Sequence, residues 1–204
     1  MNFRLTAILF GSLLVIGVVL LILSFTGDTS PPTDLLAEEL AAAKPEEITA
    51  VEMEKEDGSK LRLVRLGKDR WDAEWDAAPA EGSKDRQPVK ARADAGAVNQ
   101  LVAALLKAKP VADPSLRDNP ALHGLQPPGL KVTLRQGEKS ASINFGDVTI
   151  GGSDASVYVT TSARPGRPMA TPRGGLDPLF RTSSGQGKAV DLAKWAADFR
   201  VKNV

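Results

Sequence analysis

The chain has 204 residues, a formal net charge of +1, no cysteine and a single histidine. Without cysteine it has no disulfide framework, no thiolate metal site and no lipid-modified amino-terminal cysteine. Acidic and basic residues nearly balance and are interspersed, so the sequence lacks the basic surface that collects phosphates. Nucleic acid is therefore not an expected partner, and no cofactor is expected.

The first 27 residues form an apolar segment. No charged side chain lies between Leu5 and Gly27, and a helix of about 20 apolar residues can cross the ~30 Å hydrocarbon layer of a bilayer. Arg4 precedes the run and mostly acidic residues follow it, so the positive-inside rule keeps the amino terminus in the cytoplasm. We predict a single-pass transmembrane anchor at 1–27 in the bacterial inner membrane, with the rest of the chain extracytoplasmic.

A cleaved signal peptide is the competing interpretation of the same segment. Signal peptides have apolar regions of about 7–15 residues that end at a small-x-small cleavage site. The run here is longer, and bulky Leu23 and Phe25 make a poor cleavage site. A retained anchor is therefore favoured, followed by a spacer at 28–47 and a folded extracytoplasmic domain at 48–204.

The folded part is predicted to begin at Ile48, where apolar residues start to alternate with polar ones. Val51 and Met53 point to one side and the glutamates between them point to the other, which predicts a half-buried strand. Turns at 57–59 and 67–69 lead into two further alternating segments. The simplest interpretation is an antiparallel meander of three strands.

A loop and then a helix follow the meander. The residues from Ala77 to Ala93 have no periodicity, which favours an exposed loop that ends in extended structure around Pro88. Asp94 is placed to cap a helix that Pro110 ends. Five apolar residues of this helix repeat at the spacing of a single helical stripe: Val98, Leu101, Val102, Leu105 and Leu106.

The second half of the sequence shows a similar succession. Apolar residues alternate from Leu130 to Leu134 and again from Ala141 to Phe145, and a last helix is predicted from about Ala189 to Phe199. We therefore predict an α+β fold in which helices pack on antiparallel sheets. It would contain two degenerate βββα-type repeats, at 48–110 and 128–204.

One short element carries a family resemblance. Residues 124–128 read GLQPP, a G-L-x-x-P pattern that follows the helix and opens the next strand. Together with Trp71, the FGD at 145–147 and the VYV at 157–159, it resembles the bacterial domain of unknown function 4340, from about Ile48 to the end. The resemblance implies a membrane-anchored protein encoded beside ABC-type transport components of the kind linked to gliding motility. It implies no catalytic residues.

His123 is the one side chain on which a catalytic triad or an imidazole metal site would depend. No G-x-S-x-G surrounds a serine, and Pro120 and Gly124 place the histidine in a turn. Where members of the family commonly carry an aromatic residue, this chain has His123. We interpret it as a packing residue beside Leu122 and Leu125, and we expect no enzyme activity and no metal site.

Two tryptophans give the sequence its sharpest hypothesis of a binding site. Trp71 and Trp75 share one strand face and could form a stacking platform for sugars, although burial beneath the predicted helix is favoured. With His123 they are retained as a possible ligand or partner surface. Carboxylate pairs such as Asp72 with Glu74 alternate with apolar residues, so they are interpreted as a solvated sheet face rather than as an acid–base pair.

These observations favour a function in binding. We expect a membrane-anchored interaction or scaffold domain, accessory to an envelope ABC-type transport complex, with a protein partner at exposed sheet edges or at the loop from Ala77 to Ala93. The first alternative is a periplasmic glycan- or peptide-binding module. The second is a hydrolase that uses acidic residues, which would need a buried carboxylate pair in a cleft. The oligomeric state is left open.

Overall fold

The computed structural model describes residues 34–40, 42–76, 88–148 and 155–180. These residues contain eight strands: β1 (Ala50–Lys55), β2 (Lys60–Gly67), β3 (Arg70–Asp76), β4 (Pro88–Ala93), β5 (Leu130–Gln136), β6 (Lys139–Val148), β7 (Ser156–Thr161) and β8 (Met169–Pro172). All eight belong to one sheet in the order β4-β3-β2-β1-β5-β6-β7-β8, and every neighbouring pair is antiparallel.

Helix occupies little of the described chain. Its α-helices are α1 (Ala95–Leu106) and the single turn α2 (Asp177–Phe180), and short 3-10 turns lie at Pro45–Glu47, Pro120–His123 and Gly174–Leu176. The predicted helix after Asp94 is confirmed as α1. The Asp94 carboxylate accepts hydrogen bonds from the backbone N–H groups of Gly96 (2.8 Å) and Ala97 (3.2 Å), which would otherwise lack a partner at the helix start.

The predicted α+β class with packed helices is wrong, because the described residues form a sheet-dominated fold with two short helices. The predicted βββα-type repeats also undercount the strands, since four strands lie on each side of the β1–β5 contact. One cause is β4, whose six residues belong to the segment interpreted as a loop and pair with β3. The last predicted helix, from Ala189 to Phe199, lies outside the described residues.

The predicted membrane anchor at 1–27 also lies outside the described residues. Among the helices that the structure does describe, none has both the length and the apolar character needed to cross a bilayer. The prediction of a single-pass inner-membrane protein with an extracytoplasmic domain is corrected on that finding.

The hydrophobic core lies on one side of the sheet. Alternate residues of each strand point to this side, so that Val51 of β1 lies opposite Leu63 of β2 and Leu134 of β5. The apolar stripe of α1 packs on it, together with residues that precede β1 and follow β8: Leu35, Leu36, Leu40, Leu176, Leu179 and Phe180. Burial of this continuous apolar layer is the main stabilising contribution to the fold.

The other side of the sheet is divided into two different halves. Over β6, β7 and β8 it is covered by residues 111–129, which we name the cover segment. Leu116 and Leu125 of this segment pack on Tyr158 of β7 and Ala170 of β8, so β7 is buried on both sides. Over β4, β3, β2, β1 and the near side of β5 the outward side chains have no such cover among the described residues, and we name them the open face.

Candidate binding surface

The open face is a set of charged stripes. Apart from Arg70 at the start of β3, each strand presents outward charges of a single sign, and the sign alternates from strand to strand in the register of the sheet. The cationic strands are β4 (Lys90, Arg92), β2 (Lys60, Arg62) and β5 (Lys131, Arg135), and the acidic strands between them are β3 (Asp72, Glu74, Asp76) and β1 (Glu52, Glu54). Opposite charges on neighbouring strands stabilise this register.

Glu52 is the centre of the charged network. Its carboxylate accepts hydrogen bonds from Arg135 on one side (2.9 and 3.2 Å) and lies 3.4 Å from Arg62 on the other. The bonds to Glu52 raise the pKa of the Arg135 guanidinium above its ordinary value. Lys60 and Glu54 form a further cross-strand pair at 3.1 Å, and Lys90 pairs with Glu74. The stripes therefore largely neutralise one another.

A groove of ≈ 770 Å³ runs across this charged surface. It is bordered by outward side chains of β1, β2, β3 and β5, including Thr133, and at one end by Trp75 and Pro88. Within the described chain, the groove residue Lys131 has no ion pair, and neither do Asp72 and Arg92 elsewhere on the open face. Asp72 and Arg92 face each other directly in the β3–β4 register, whereas Lys131 lies in the groove itself.

The structure does not bring the three sequence-predicted site residues together. Trp71 is 0 % exposed in the core, where its indole N–H donates to Asn99 Oδ1 (3.1 Å) and the Arg65 guanidinium stacks 4.4 Å above its ring. Trp75 is half-buried at the end of the groove. His123 belongs to the cover segment itself, where it is 5 % exposed and packs on Tyr158, on the opposite side of the sheet from Trp71.

Arg65 forms hydrogen bonds around Trp71 that give this region a structural role. Its guanidinium donates to the backbone carbonyls of Ile48 (2.8 Å) and Pro45 (2.8 Å) and to Asn99 Oδ1 (2.9 Å). Burial lowers the pKa of Arg65, and nearby Glu46 and Asp69 partly offset that effect. The network connects β2, β3 and α1, and it uses the hydrogen-bonding capacity of both the indole and the guanidinium.

His123 is held by the backbone rather than by a nucleophile. His123 Nε2 lies 3.0 Å from the Arg117 backbone nitrogen and 3.1 Å from the Arg117 carbonyl oxygen, and the ring packs 4.2 Å from the ring of Tyr158. Ser115 lies nearby, but its hydroxyl is bonded to Asp113 (2.6 Å) and to Tyr158 (2.5 Å). The histidine therefore does not activate this serine as it would in a catalytic triad.

Asp113 begins the polar chain that holds the cover segment on β7. The Ser115 hydroxyl and the Ser115 backbone N–H both donate to its carboxylate, and they lower the pKa of Asp113. Because the single proton of the Ser115 hydroxyl is given to Asp113, the Tyr158 hydroxyl is the donor to Ser115. The role of this polar chain is to anchor the cover segment on β7.

The described residues contain no group of three or more metal-ligating side chains that could hold a metal ion. No family model matches the chain, and no curated protein and no solved structure matches it. The resemblance to domain of unknown function 4340 is neither supported nor opposed by these comparisons, and it stays a prediction.

The open face was not predicted as a surface from the sequence, although a signal for it was present. The outward residues of β1 are acidic and those of β2 are basic, and the same alternation continues through β3 and β4. A comparison of charge sign between successive strands would have predicted the pairing within the first half. The contribution of β5 has no such local signal, because its place beside β1 depends on a pairing between distant parts of the chain.

Proposed function

We propose that this chain is an interaction domain that binds a protein partner on the open face and does not act as a catalyst. The observation that carries the proposal is the ≈ 770 Å³ groove across four charged strands. The cover segment occupies the corresponding side of the second half, whereas among the described residues nothing occupies the open face. Concave surfaces with convergent polar groups are typical of binding sites.

The charge pattern favours a protein partner over a polyanion or a polycation. Because stripes of opposite sign alternate, the open face does not present the single-sign field that concentrates nucleic acid. A protein segment with charges of both signs can match the stripes in one register and would be repelled in a register shifted by one strand. Electrostatic complementarity of this kind supplies specificity more than affinity.

The carboxylates of the groove support a role in binding rather than in acid–base catalysis. Glu52 is held by two arginines and Glu54 by Lys60, so both carboxylates are engaged in ion pairs across the strands. A general acid or base needs a carboxylate that can reach the proton of a substrate.

A photo-crosslinking residue at Thr133 tests the proposal. Thr133 lines the groove and carries no charge, and Gln100, exposed on α1 across the sheet, is the matched control. In the native host we expect a discrete crosslinked product from position 133 that is weakened by Lys131→Glu, and none from position 100. The absence of a product at position 133 would contradict the proposal.

The identity of the crosslinked partner tests a narrower form of the proposal. The resemblance described above favours a component of an ABC-type transport complex as the partner. Recovery of such a component from position 133 would support that role. Recovery of an unrelated protein would leave the binding function standing and remove the transport association.

A glycan- or peptide-binding module is the second candidate, and the position of Trp75 favours it. Trp75 lines one end of the groove; its half-buried indole shares the core side of β3 with Trp71 and packs partly against the apolar core, and an indole left partly exposed at the edge of a polar groove is suited to contact with a sugar ring. Titration with glycans, followed by tryptophan emission in the native chain and in Trp75→Phe, tests this candidate. A saturable change that is lost in Trp75→Phe supports it, and no change in the native chain removes it.

A further inference from the structure

The two ends of the sheet differ in what lies beside them. At the β8 end, the Val111 N–H donates to the Ala170 carbonyl (2.8 Å), so the cover segment pairs with part of that edge. At the other end, β4 pairs with β3 and with no further strand among the described residues. An unpaired strand edge presents backbone donors and acceptors that can pair with an added strand.

The charge stripes indicate what kind of strand would fit beside β4. Lys90 and Arg92 point to the open face, and Arg92 has no ion partner within the described chain. Every acidic strand of the sheet lies between two cationic ones, as β1 does between β2 and β5. The strand that continues this alternation beyond β4 carries acidic side chains on the same side.

The other side of β4 sets the second requirement. Val89 and Ala91 point toward the core and are only half-buried, because β4 is at the edge of the apolar layer. An added strand with apolar residues at alternate positions would extend that layer. The complementary segment therefore alternates acidic and apolar residues, as β1 does in the sequence Val51-Glu-Met-Glu54.

A second copy of this chain is a poor occupant of the same edge. A two-fold β4–β4 pair centred on Ala91, the register that keeps the apolar sides together over the most residues of the strand, places Lys90 of one copy directly opposite Arg92 of the other. Like charges directly opposite each other destabilise strand pairing. The same two residues thus disfavour self-association and favour an acidic partner.

We infer that the β4 edge binds an extended segment of a partner protein in which acidic and apolar residues alternate, and that this segment adds to the sheet as a ninth strand. The inference rests on the proposed function, since it names the chemistry of the partner and a second contact for it. Main-chain hydrogen bonds would supply affinity, and pairing of the acidic side chains with Lys90 and Arg92 would supply specificity.

Peptide binding to the full chain tests the inference. The probes are fluorescent peptides of about six residues, the usual length of a strand, one alternating Val with Glu and one alternating Val with Lys. By anisotropy we expect the acidic peptide to bind at least about tenfold more tightly than the basic one. In Lys90→Glu/Arg92→Glu that preference should reverse. Equal binding of the two peptides, or an unchanged preference in this variant, overturns the inference.

Two controls separate edge binding from other causes. Lys68→Glu/Lys139→Glu makes the same change in net charge at an exposed turn position and at the exposed first residue of β6, and it should keep the native preference for the acidic peptide. Amide hydrogen exchange of β4 should slow when the acidic peptide is added. Slow exchange of all β4 amides before addition would show that the chain already pairs with this edge, and it would overturn the inference.

The failure of the inference can be distinguished from failure of the proposed function. If the peptides do not discriminate but position 133 still gives its crosslinked product, the partner binds the groove without adding a strand. If position 133 gives no product either, the proposed function fails with the inference.

Discussion

The two halves of the outer side of the sheet differ in how their outward side chains are stabilised. Over β7 and β8 the outward residues include Tyr158 and Ala170, which are apolar enough to need a cover, and the chain supplies it as residues 111–129. Over β1 to β4 the outward residues are charged and pair with one another across the strands. Stability in the covered half therefore depends on close packing, whereas in the described part of the open half it depends on exposed ion pairs, which each contribute little.

Gly146→Ala should have the largest effect, because it breaks the contact between β6 and the cover segment. A Cβ at this position would lie 2.1 Å from the His123 carbonyl oxygen and 3.0 Å from Leu125 Cγ. Backbone must move to relieve the clash, so we expect a loss of about 3 kcal/mol in the free energy of unfolding, measured by urea denaturation.

Gly166→Ala is the matched control for that substitution. No heavy atom lies within 4 Å of a Cβ built at Gly166, so its stability should change by no more than about 0.5 kcal/mol. Similar stabilities for the two variants would mean that the cover segment is not docked on β6 as described.

Tyr158→Phe should have an intermediate effect in the same half. The substitution keeps the ring that packs on His123 and removes the hydroxyl that bonds to Ser115. We expect a loss of about 1 kcal/mol, because one partly buried hydrogen bond is removed and the Ser115 hydroxyl keeps its bond to Asp113. Urea denaturation measures this loss, and an unchanged midpoint would show that the polar chain does not hold the cover segment.

Glu52→Gln tests the open half and should have a smaller effect. It leaves the facing Arg62 and Arg135 without the carboxylate between them. Because all three side chains contact solvent, we expect a loss of about 0.5 kcal/mol that decreases at high salt. A salt-independent loss as large as that of Tyr158→Phe would contradict the distinction between the two halves.

Asp113→Asn should have the smallest effect, a slight loss of stability at neutral pH that disappears in acid. The folded-state pKa of Asp113 is lowered by its bonds to Ser115, so its contribution is fully present above the unfolded-state value of about 3.9 and is lost as the pH falls through the lower folded value. The amide variant does not titrate. The free energy of unfolding of the variant should therefore decline less steeply than that of the native chain below about pH 4. If the two free energies decline in parallel over this range, the role assigned to Asp113 is wrong.

Local patterns in the sequence predicted several elements correctly. The alternation around Val51 and Met53 is β1, the apolar stripe after Asp94 is α1, and the turn at 57–59 separates β1 from β2. Each of these depends on residues within one or two turns of one another, where periodicity and capping chemistry act directly. Some of these elements carry groove residues, but the local patterns do not predict the groove.

The site was less predictable than the elements that carry it. Of the three residues chosen from the sequence, only Trp75 borders the groove, because burial of Trp71 and His123 depends on what packs over them. β4 was interpreted as the end of a loop, since its alternation of Lys90 and Arg92 with small residues is weak without the strand beside it. The alternation in β4 indicates a strand only together with a cross-strand partner such as Glu74.

The sequence by itself determined the strand period, the helix cap and the absence of cysteine chemistry, because these follow from side-chain identity and short-range spacing. Only the tertiary structure decided that the two halves join through β1 and β5 into one sheet, and that the two outer sides differ in their cover. The physical reason is that a strand's neighbours are chosen by apolar burial and charge pairing between distant residues, and period two is the same whichever strand lies alongside.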